Sequence, residues 1–412
     1  MRGIKKGGLM VLVIGFALAL IFATYHSKPA FCQTLLIGGN APMSGSAASF
    51  GIGQARAIEK SIEEVNSKGG LNIGGVKYKL ELKSYDNKGK ADEAVSIANK
   101  LILDEKVKYI MTAAVGATCR GIQTISAPNN VYFSFSCWGK MLCGPEVPLN
   151  WRVGFSPYEM SDAYIGSIFK ANPKAKTIAT ISPNDTSGWD GAKGEIRAAE
   201  KLGMKSVAEI YYEREQQDFH AILGQILGKK PDIVDLGGTA AGTGGLILKQ
   251  LHEMGYRGIK AWAPCSMASL AIEVAGKDAA EGLYLAVNWD YLSQTYTLPG
   301  LREIIKWYES KYKESWDYFG ITAYANAKIV FSVMEKIQSI DPKKVSEGII
   351  ANQPYDTILG PVVYGNAEVY GLPRAMLHPL ILSKIEKGKV VNTSFGLHPD
   401  LAKVVGNWTF PK

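Results

Sequence analysis

The chain has 412 residues and a formal net charge of +8, and 47% of its residues are hydrophobic. This hydrophobic fraction is normal for a globular chain, and the length exceeds one ordinary core, so we expect two domains. Lysine and glutamate are interspersed, with no basic run and no aromatic RNA-binding signature, so we expect no nucleic-acid partner.

The first 32 residues have the pattern of an export signal. Arg2, Lys5 and Lys6 precede an apolar run over residues 9–23, which is short for a membrane span. We expect residues 1–32 to be a cleaved signal peptide and the mature protein to be periplasmic. Because no clean A-x-A site follows the run, an uncleaved N-terminal anchor is the alternative. Removing the segment removes four positive charges and no negative one, so the formal charge falls from +8 to +4.

Strand and helix patterns then alternate along the chain. Predicted strands cover residues 34–42 and 77–86, and predicted helices cover residues 54–67 and 91–103. This alternation is typical of parallel sheets wound by right-handed crossovers.

Residues 109–138 form the most distinctive stretch. Two short apolar runs flank residues 115–118, whose side chains are small. The pattern predicts a buried parallel strand, a tight turn that opens a helix, and a second buried strand that ends near Cys137 and Trp138. The first free N–H groups of such a helix favour anions, so the turn is a candidate floor of a binding site. A tight turn with no ligand is the alternative.

The pattern begins again after Trp151. Helices are predicted near residues 158–170, 191–202, 219–227 and 245–254, and strands near residues 177–183, 206–213, 233–238 and 260–264.

The tail breaks this rhythm. A strand over 282–289 precedes two helices at 301–312 and 321–337, and extended segments follow at 359–365 and 378–394, the second a hairpin. A chain that crosses between two lobes more than once would account for late helices followed by late strands.

Four cysteines lie beyond the signal: Cys119, Cys137, Cys143 and Cys265. An exported chain permits disulfides. Cys137 and Cys143 flank a five-residue loop that they could close, and Cys119 is a rival partner because it lies on the neighbouring βα turn. The pairing stays open. No CxxC spacing or histidine cluster indicates zinc, so we expect no metal.

No enzymatic motif is complete. Gly51 and Gly53 lack the third glycine of a dinucleotide fingerprint, and residues 237–245 lack the Lys-Ser/Thr pair of a phosphate-binding loop, so we interpret the latter as a flexible βα turn. There is no G-x-S-x-G sequence, and the histidines are scattered. We expect no catalytic activity. An exported enzyme that uses one of the glycine loops for a nucleotide is the alternative.

Several segments together resemble the branched-chain amino acid-binding proteins that serve ABC importers. They are the P-x-SG turn after the first strand, the helix ending in N-x-x-GG, the A-V-x-x-A-N-K-L helix, and the later segments ATISPNDTSGWDGAKG, PDIVDLGGTAAGTGGLILKQLHEMGY and AAEGLYLAVNWD. The resemblance spans residues 34–370. It implies an α/β fold of two Rossmann-like lobes joined by a three-crossing hinge, a type I periplasmic binding protein. Lobe 1 is expected over 33–154 plus 286–360 and lobe 2 over 155–285 plus 361–412.

The resemblance also implies where a ligand would bind. In this family, backbone N–H groups and hydroxyls after the third and fourth strands of the first lobe hold a ligand carboxylate, and an aromatic residue of the first βα turn packs on the ligand body. The second lobe adds an aromatic residue, a turn and a residue after its WAP strand. The matching positions here are Phe50, Gly116, Ala117, Thr118, Ser136, Cys137, Trp138, Trp189, Thr239 and Cys265.

The last position departs from the family pattern. It usually carries an acid for the ligand ammonium, whereas this chain has Cys265 or Ser266 there. An unpaired ammonium buried between the lobes would cost several kcal/mol, although Asp185 and Asp190, near Trp189, could substitute. The aromatic positions suit an apolar or aromatic body. The sequence therefore predicts a small carboxylate with such a body.

We therefore expect an extracytoplasmic solute-binding protein of an ABC importer, a monomer that needs no cofactor. Its partners would be a small-molecule ligand and an ABC permease in the inner membrane. The further alternatives are a binding protein for branched-chain or other amino acids and a ligand-sensing module for a membrane receptor.

Overall fold

The computed structural model describes residues 33–286, 298 and 300–411. The predicted signal peptide and the end of the strand predicted over 282–289 lie outside these ranges. The described strands are β1 (Gln33–Ala41), β2 (Leu71–Ile73), β3 (Val76–Asp86), β4 (Tyr109–Thr112), β5 (Tyr132–Phe135), β6 (Asn150–Arg152), β7 (Thr177–Pro183), β8 (Lys205–Tyr212), β9 (Ile233–Asp235), β10 (Ile259–Trp262), β11 (Tyr284–Ala286), β12 (Tyr355–Thr357), β13 (Gly360–Gly365), β14 (Ala375–Leu377), β15 (Leu380–Glu386) and β16 (Lys389–Gly396).

The described α-helices connect these strands and cover the sheets. They are α1 (Ile52–Ser67), α2 (Ala91–Asn99), α3 (Gly116–Ser126), α4 (Pro157–Ala171), α5 (Thr186–Lys201), α6 (His220–Gly228), α7 (Ala241–Glu253), α8 (Ala268–Ala275), α9 (Lys277–Ala280), α10 (Leu301–Tyr312), α11 (Tyr318–Ile337), α12 (Pro342–Ala351), α13 (Ala367–Tyr370) and α14 (Pro399–Val405). Of these described helices, none has the length and apolar character that crossing a bilayer requires.

The described strands form two sheets, which confirms the predicted α/β class. The first has the order β12-β13-β14-β6-β5-β4-β1-β3-β2, and the second has the order β16-β15-β11-β10-β9-β7-β8. The central pairs are parallel, and the antiparallel pairs lie towards the edges. We call the part built on the first sheet lobe 1 and the part built on the second sheet lobe 2.

Both faces of the central strands are covered. In β4 and β5 every residue is buried, because helices pack on both sides of the parallel sheet. The apolar runs of residues 109–138 therefore form strands, as predicted, with α3 between them.

Side-chain caps set where two helices of lobe 2 begin. Asp185 accepts hydrogen bonds from the backbone N–H groups of Ser187 and Gly188, so α5 begins at Thr186, ahead of the predicted Gly191. Ser156 and Glu159 form a capping box at the start of α4.

The glycine-rich stretch over residues 237–245 is mostly helical. Helix α7 begins at Ala241, so the interpretation as a flexible turn is wrong for its second half. A Cβ on Gly244 would overlap the Trp262 ring, and one on Gly245 would crowd Val274. The glycines therefore let α7 pack closely on its neighbours.

The predicted lobe boundary at residue 361 is wrong for the tail. Strands β13 and β14 pair within the lobe 1 sheet, and only β15 and β16 join lobe 2. The two segments are close in sequence and similarly apolar, so a local pattern does not indicate which sheet each one joins.

Two crossings between the lobes are held together by a hydrogen-bond chain. The N–H of Phe155, in the first crossing, donates to the Tyr318 hydroxyl at 3.2 Å, and that hydroxyl donates to His378 Nε2 at 2.9 Å. His378 lies between β14 and β15, in the last crossing. Burial lowers the pKa of His378 to about 4, so the ring is neutral at pH 7 and can accept this bond. Tyr318 therefore connects the first crossing to the last through hydrogen bonds.

Candidate ligand-binding site

A cavity between the lobes lies at the carboxyl ends of their parallel strands, the edge at which such sheets bind ligands. Its volume is about 30 Å³. Its described lining residues are Phe50, Ala114, Val115, Ser136, Cys137, Trp138, Ser187, Arg214, Gly238, Pro264 and Phe319. Both lobes therefore contribute to it.

A larger groove of about 620 Å³ lies on lobe 2 alone. It is at the amino ends of β7, β9 and β10, and it includes Asp232, which already accepts hydrogen bonds from the backbone N–H groups of Lys176 and Thr177. Since no lobe 1 residue faces this groove, we take the interlobe cavity as the candidate site.

Arg214 supplies the charge of the interlobe cavity. Its Nε–H donates to Asp185 Oδ2 at 2.7 Å, and the two side chains are only 14% and 12% exposed. The other oxygen of Asp185 is held by the start of α5. The Nη groups of Arg214 make no hydrogen bond to another described residue, and its guanidinium carbon lies 6.0 Å from the centre of the Phe50 ring. Asp185 thus orients a guanidinium whose outer edge is open to a ligand.

Hydroxyl groups from both lobes add polar contacts. Ser136 Oγ accepts a hydrogen bond from Gln54 Nε2 at 2.9 Å, and Ser187 Oγ accepts one from the backbone N–H of Trp138 at 3.2 Å. Neither hydroxyl carries a charge. Of the described residues that line the cavity, Arg214 is the only charged one.

Aromatic rings form the apolar part of the lining. The Phe50 and Phe319 rings meet edge to face with their centres 5.4 Å apart, and Trp138 is only 2% exposed. Such rings suit an apolar ligand body.

Val115 occupies a strained position in the lining. Its φ is 71°, a value that β-branched residues rarely adopt. Strain of this kind costs about 1–3 kcal/mol and concentrates at ligand sites. The small-residue turn at 115–118 was a signal for this position.

The structure places four of the predicted site residues in the cavity lining: Phe50, Ser136, Cys137 and Trp138. The predicted anion-binding turn is placed differently. Thr118 Oγ1 donates to the carbonyls of Ala114 and Val115, Ala117 is exposed, and a Cβ on Gly116 would overlap the Thr186 side chain. Lobe 2 thus covers the first turn of α3, and its only hydroxyl serves its own backbone.

The residues of lobe 2 that were predicted to bind the ligand also lie outside the lining. Trp189 is 41% exposed, and its indole N–H donates to Asn184 Oδ1 at 3.1 Å. Thr239 Oγ1 accepts a hydrogen bond from the Tyr212 hydroxyl at 3.1 Å, and Cys265 is buried in the lobe 2 core. The neighbouring residues Gly238 and Pro264 line the cavity instead.

Sequence reasoning missed Arg214, Ser187 and Phe319. Arg214 lies in the charged run EREQQ, which is typical of a surface loop, but it directly follows β8. Its place at the carboxyl end of a parallel strand was the available signal.

Cys119 and Cys137 form a disulfide. The rival pairing of Cys137 with Cys143 is therefore wrong, and Cys143 and Cys265 are free and buried. The bond ties the cavity-lining end of β5 to α3. Within the described residues there is no group of three or more histidine, cysteine or acidic side chains placed to hold a metal ion.

Neither acid considered as an ammonium partner faces the cavity. Asp185 is engaged by Arg214 and the start of α5, and Asp190 Oδ2 accepts a hydrogen bond from the backbone N–H of Lys140 at 3.1 Å. Burial raises the pKa of Asp190. The described lining therefore has no carboxylate.

Comparisons with known proteins agree with this architecture. A family model described as periplasmic binding protein matches residues 34–389. A Leu/Ile/Val-binding protein homolog from Brucella suis is 25% identical over 353 residues, which cover 82% of this chain and 85% of that protein.

Two solved structures share the fold. A leucine-binding protein from Thermotoga maritima has a TM-score of 0.74 at 20% identity and covers 89% of this chain and 99% of its own. An ABC transporter solute-binding protein from R. palustris, solved in complex with benzoate, has a TM-score of 0.72 at 18% identity and covers 89% of this chain and 97% of its own.

Proposed function

Because this chain belongs to the periplasmic binding protein family, whose model matches residues 34–389, we propose that it is the solute-binding protein of an ABC importer and binds a small organic carboxylate between its lobes. In this proposal the protein is a periplasmic monomer, and its partner is a permease of the inner membrane.

The observation that carries the proposal is the charge of the cavity. Arg214 is the only charged residue in the described lining, and no carboxylate accompanies it there. A guanidinium with a free edge binds a carboxylate through two parallel hydrogen bonds. A zwitterionic amino acid would bury its ammonium without a partner charge, which costs several kcal/mol. The lining therefore favours an acid over leucine, isoleucine or valine.

The two lobes would hold different parts of the ligand. Arg214 and Ser187 of lobe 2 meet the carboxylate, while Phe50 and Phe319 of lobe 1 pack on an apolar or aromatic body. A ligand that touches both lobes binds the closed form more tightly than the open form, and this difference drives closure.

The test is a ligand screen with an arginine variant. Differential scanning fluorimetry would compare butyrate and benzoate with leucine, isoleucine and valine, because a ligand that binds only the folded state raises Tm. We expect an acid to raise Tm and the amino acids not to. Arg214→Met should weaken acid binding about tenfold or more, since hydrogen bonds to charged groups contribute about 1.5–3 kcal/mol.

Arg197→Met is the matched control. Arg197 is a surface arginine of α5 that pairs with Asp162 at 3.3 Å, outside the cavity lining. This variant should keep wild-type ligand binding. A Tm increase with leucine, isoleucine or valine and none with acids would show that the carboxylate part of the proposal is wrong.

A further inference from the structure

The size of the interlobe cavity is set by Trp138. Its side chain lines the cavity and is buried between the lobes, and about 30 Å³ of space remains. In comparison, a cavity of about 150 Å³ is enough to hold benzene.

Lobe 1 fixes the position of this ring. The indole N–H donates to the carbonyl of Phe155 at 2.9 Å. The preceding residue, Cys137, is tied to Cys119 by the disulfide, and its carbonyl lies 3.5 Å from Nη1 of the buried Arg152. Moving the ring aside would break the indole hydrogen bond and strain a covalently anchored loop.

Lobe 2 closes over the same residue. The backbone N–H of Trp138 donates to Ser187 Oγ at 3.2 Å, and the Thr186 hydroxyl donates to the Trp138 carbonyl at 3.4 Å. A Cβ on Gly191 would lie 3.0 Å from the ring, so a glycine at that position allows α5 to approach it. Moving the ring would therefore also disturb its packing against α5 of lobe 2.

We propose that Trp138 selects ligands by size and that the ligands are the smallest aliphatic monocarboxylates, because the ring leaves only about one fifth of the space of a cavity that holds benzene, and each further ligand atom has to displace the ring further. This inference rests on the proposed function. The carboxylate meets Arg214, and the short alkyl chain lies against Phe50 and Phe319. An aromatic acid has to displace the indole and break its hydrogen bond to the Phe155 carbonyl.

The experiment is isothermal titration calorimetry of wild type and Trp138→Ala with acetate, butyrate and benzoate. Wild type should bind acetate or butyrate at least about tenfold more tightly than benzoate, since the ring of benzoate has to displace more of the buried indole. Trp138→Ala opens space for the ring and should reverse this order. Trp138→Phe removes less volume and should give an intermediate ratio, so the test remains available if the alanine variant does not fold.

Trp189→Ala is the control, because Trp189 is exposed and lies outside the lining. It should leave the ratio unchanged. If wild type binds benzoate as tightly as butyrate and Arg214→Met abolishes both, the size inference is overturned while the proposed function stands. If no acid binds and leucine does, the proposed function fails, and the inference fails with it.

Discussion

Two carboxyl groups, Glu195 and Asp235, lie fully buried in lobe 2 beneath the cavity. Asp235 accepts hydrogen bonds from the Tyr164 hydroxyl at 3.0 Å and from the backbone N–H of Gly237 at 2.9 Å. Burial raises the pKa of Asp235 to about 7. Burial, and then the charge of Asp235, raises the pKa of Glu195 well above its usual value. Asp235 thus supports the turn that carries Gly238, while Glu195 is held in its neutral form.

This arrangement predicts a pH-dependent stability. In the unfolded chain Glu195 ionises above about pH 4.5, whereas in the folded protein it stays protonated to a higher pH. Its contribution is therefore complete at low pH, and the free energy of unfolding falls by about 1.4 kcal/mol per pH unit between the two pKa values. Glu195→Gln cannot ionise, so it should reduce this slope to the part that Asp235 contributes and be more stable than wild type at pH 8. Urea denaturation from pH 4 to pH 8 measures the slope.

The control for that experiment is Glu200→Gln, on the exposed face of the same helix. It should reproduce the wild-type slope. Parallel slopes for wild type and Glu195→Gln would contradict the prediction.

At the residue scale, sequence reasoning reached Phe50, Ser136, Cys137 and Trp138 of the lining but not its charge. Phe50 and Trp138 were predictable because the resemblance places ligand contacts after the strands that are β1 and β5 here. Arg214 was not, because its importance depends on Asp185 and on a facing lobe that no local pattern shows. The turn with Thr118 was predicted to bind the ligand carboxylate, but the Thr118 hydroxyl donates to backbone carbonyls of its own turn. The direction of a hydroxyl group depends on packing, which the sequence does not show.

The loop between β5 and β6 connects the disulfide to the cavity. Arg152, buried in β6, places its Nη2 3.4 Å from the carbonyl of Gly139 and 3.8 Å from Cys143 Sγ. Burial raises the pKa of the Cys143 thiol, so the thiol stays protonated. Arg152 therefore contacts the loop on both sides of Trp138, at Cys137 before it and at Gly139 and Cys143 after it.

Removing the disulfide should lower both stability and ligand affinity. The bonded cysteines are 18 residues apart, and closing a loop of this size stabilises a fold by about 3 kcal/mol in the chain-entropy account. The double variant Cys119→Ser with Cys137→Ser should therefore have a lower Tm, and the freed Trp138 loop should weaken binding. Calorimetry measures both quantities.

Cys143→Ser keeps the disulfide and serves as the control, with a much smaller effect on Tm. A double variant with wild-type Tm and affinity would contradict the prediction that the bond anchors the loop.

Element boundaries were predictable where the local chemistry is strong. The hairpin of β15 and β16 turns at Lys387 and Gly388, as the sequence indicated. By contrast, the three-residue strands β6 and β14 were missed. Their place is set by pairing with a neighbouring strand rather than by their own residues.

At the scale of the whole molecule, the lobes meet through direct hydrogen bonds. Besides the Trp138 contacts, the backbone N–H of Lys140 in lobe 1 donates to Asp190 Oδ2 in lobe 2. Asp190 is outside the cavity lining. A substitution at this position therefore tests the contact between the lobes without removing a contact to the ligand.

Asp190→Ala should weaken ligand binding by roughly fivefold, because a hydrogen bond contributes about 1 kcal/mol to the closed form. The preference among ligands should not change, since the lining is intact. Titration calorimetry measures affinity, and small-angle X-ray scattering should show a larger radius of gyration at the same ligand concentration.

Asp162→Ala is the control, because Asp162 pairs with Arg197 and Lys201 on the surface of lobe 2. It should leave affinity and radius unchanged. An Asp190→Ala protein with wild-type affinity would show that this contact does not hold the lobes together.

The two-lobe architecture was predictable, but the exact path of the chain between the lobes was not. Repeated strand and helix patterns indicate two parallel sheets, and the resemblance supplied the crossings. The assignment of β13 and β14 depends on long-range pairing with β6, which the sequence of those strands does not encode on its own.

The late return of the chain to lobe 2 bears on how the protein is made. Synthesis proceeds from the N-terminus, so the edge of β11 has no partner until β15 has emerged and paired with it. All described residues that line the cavity precede residue 320. A product terminated before Leu380 would therefore contain them and still present an unpaired strand edge, a template for association with other chains.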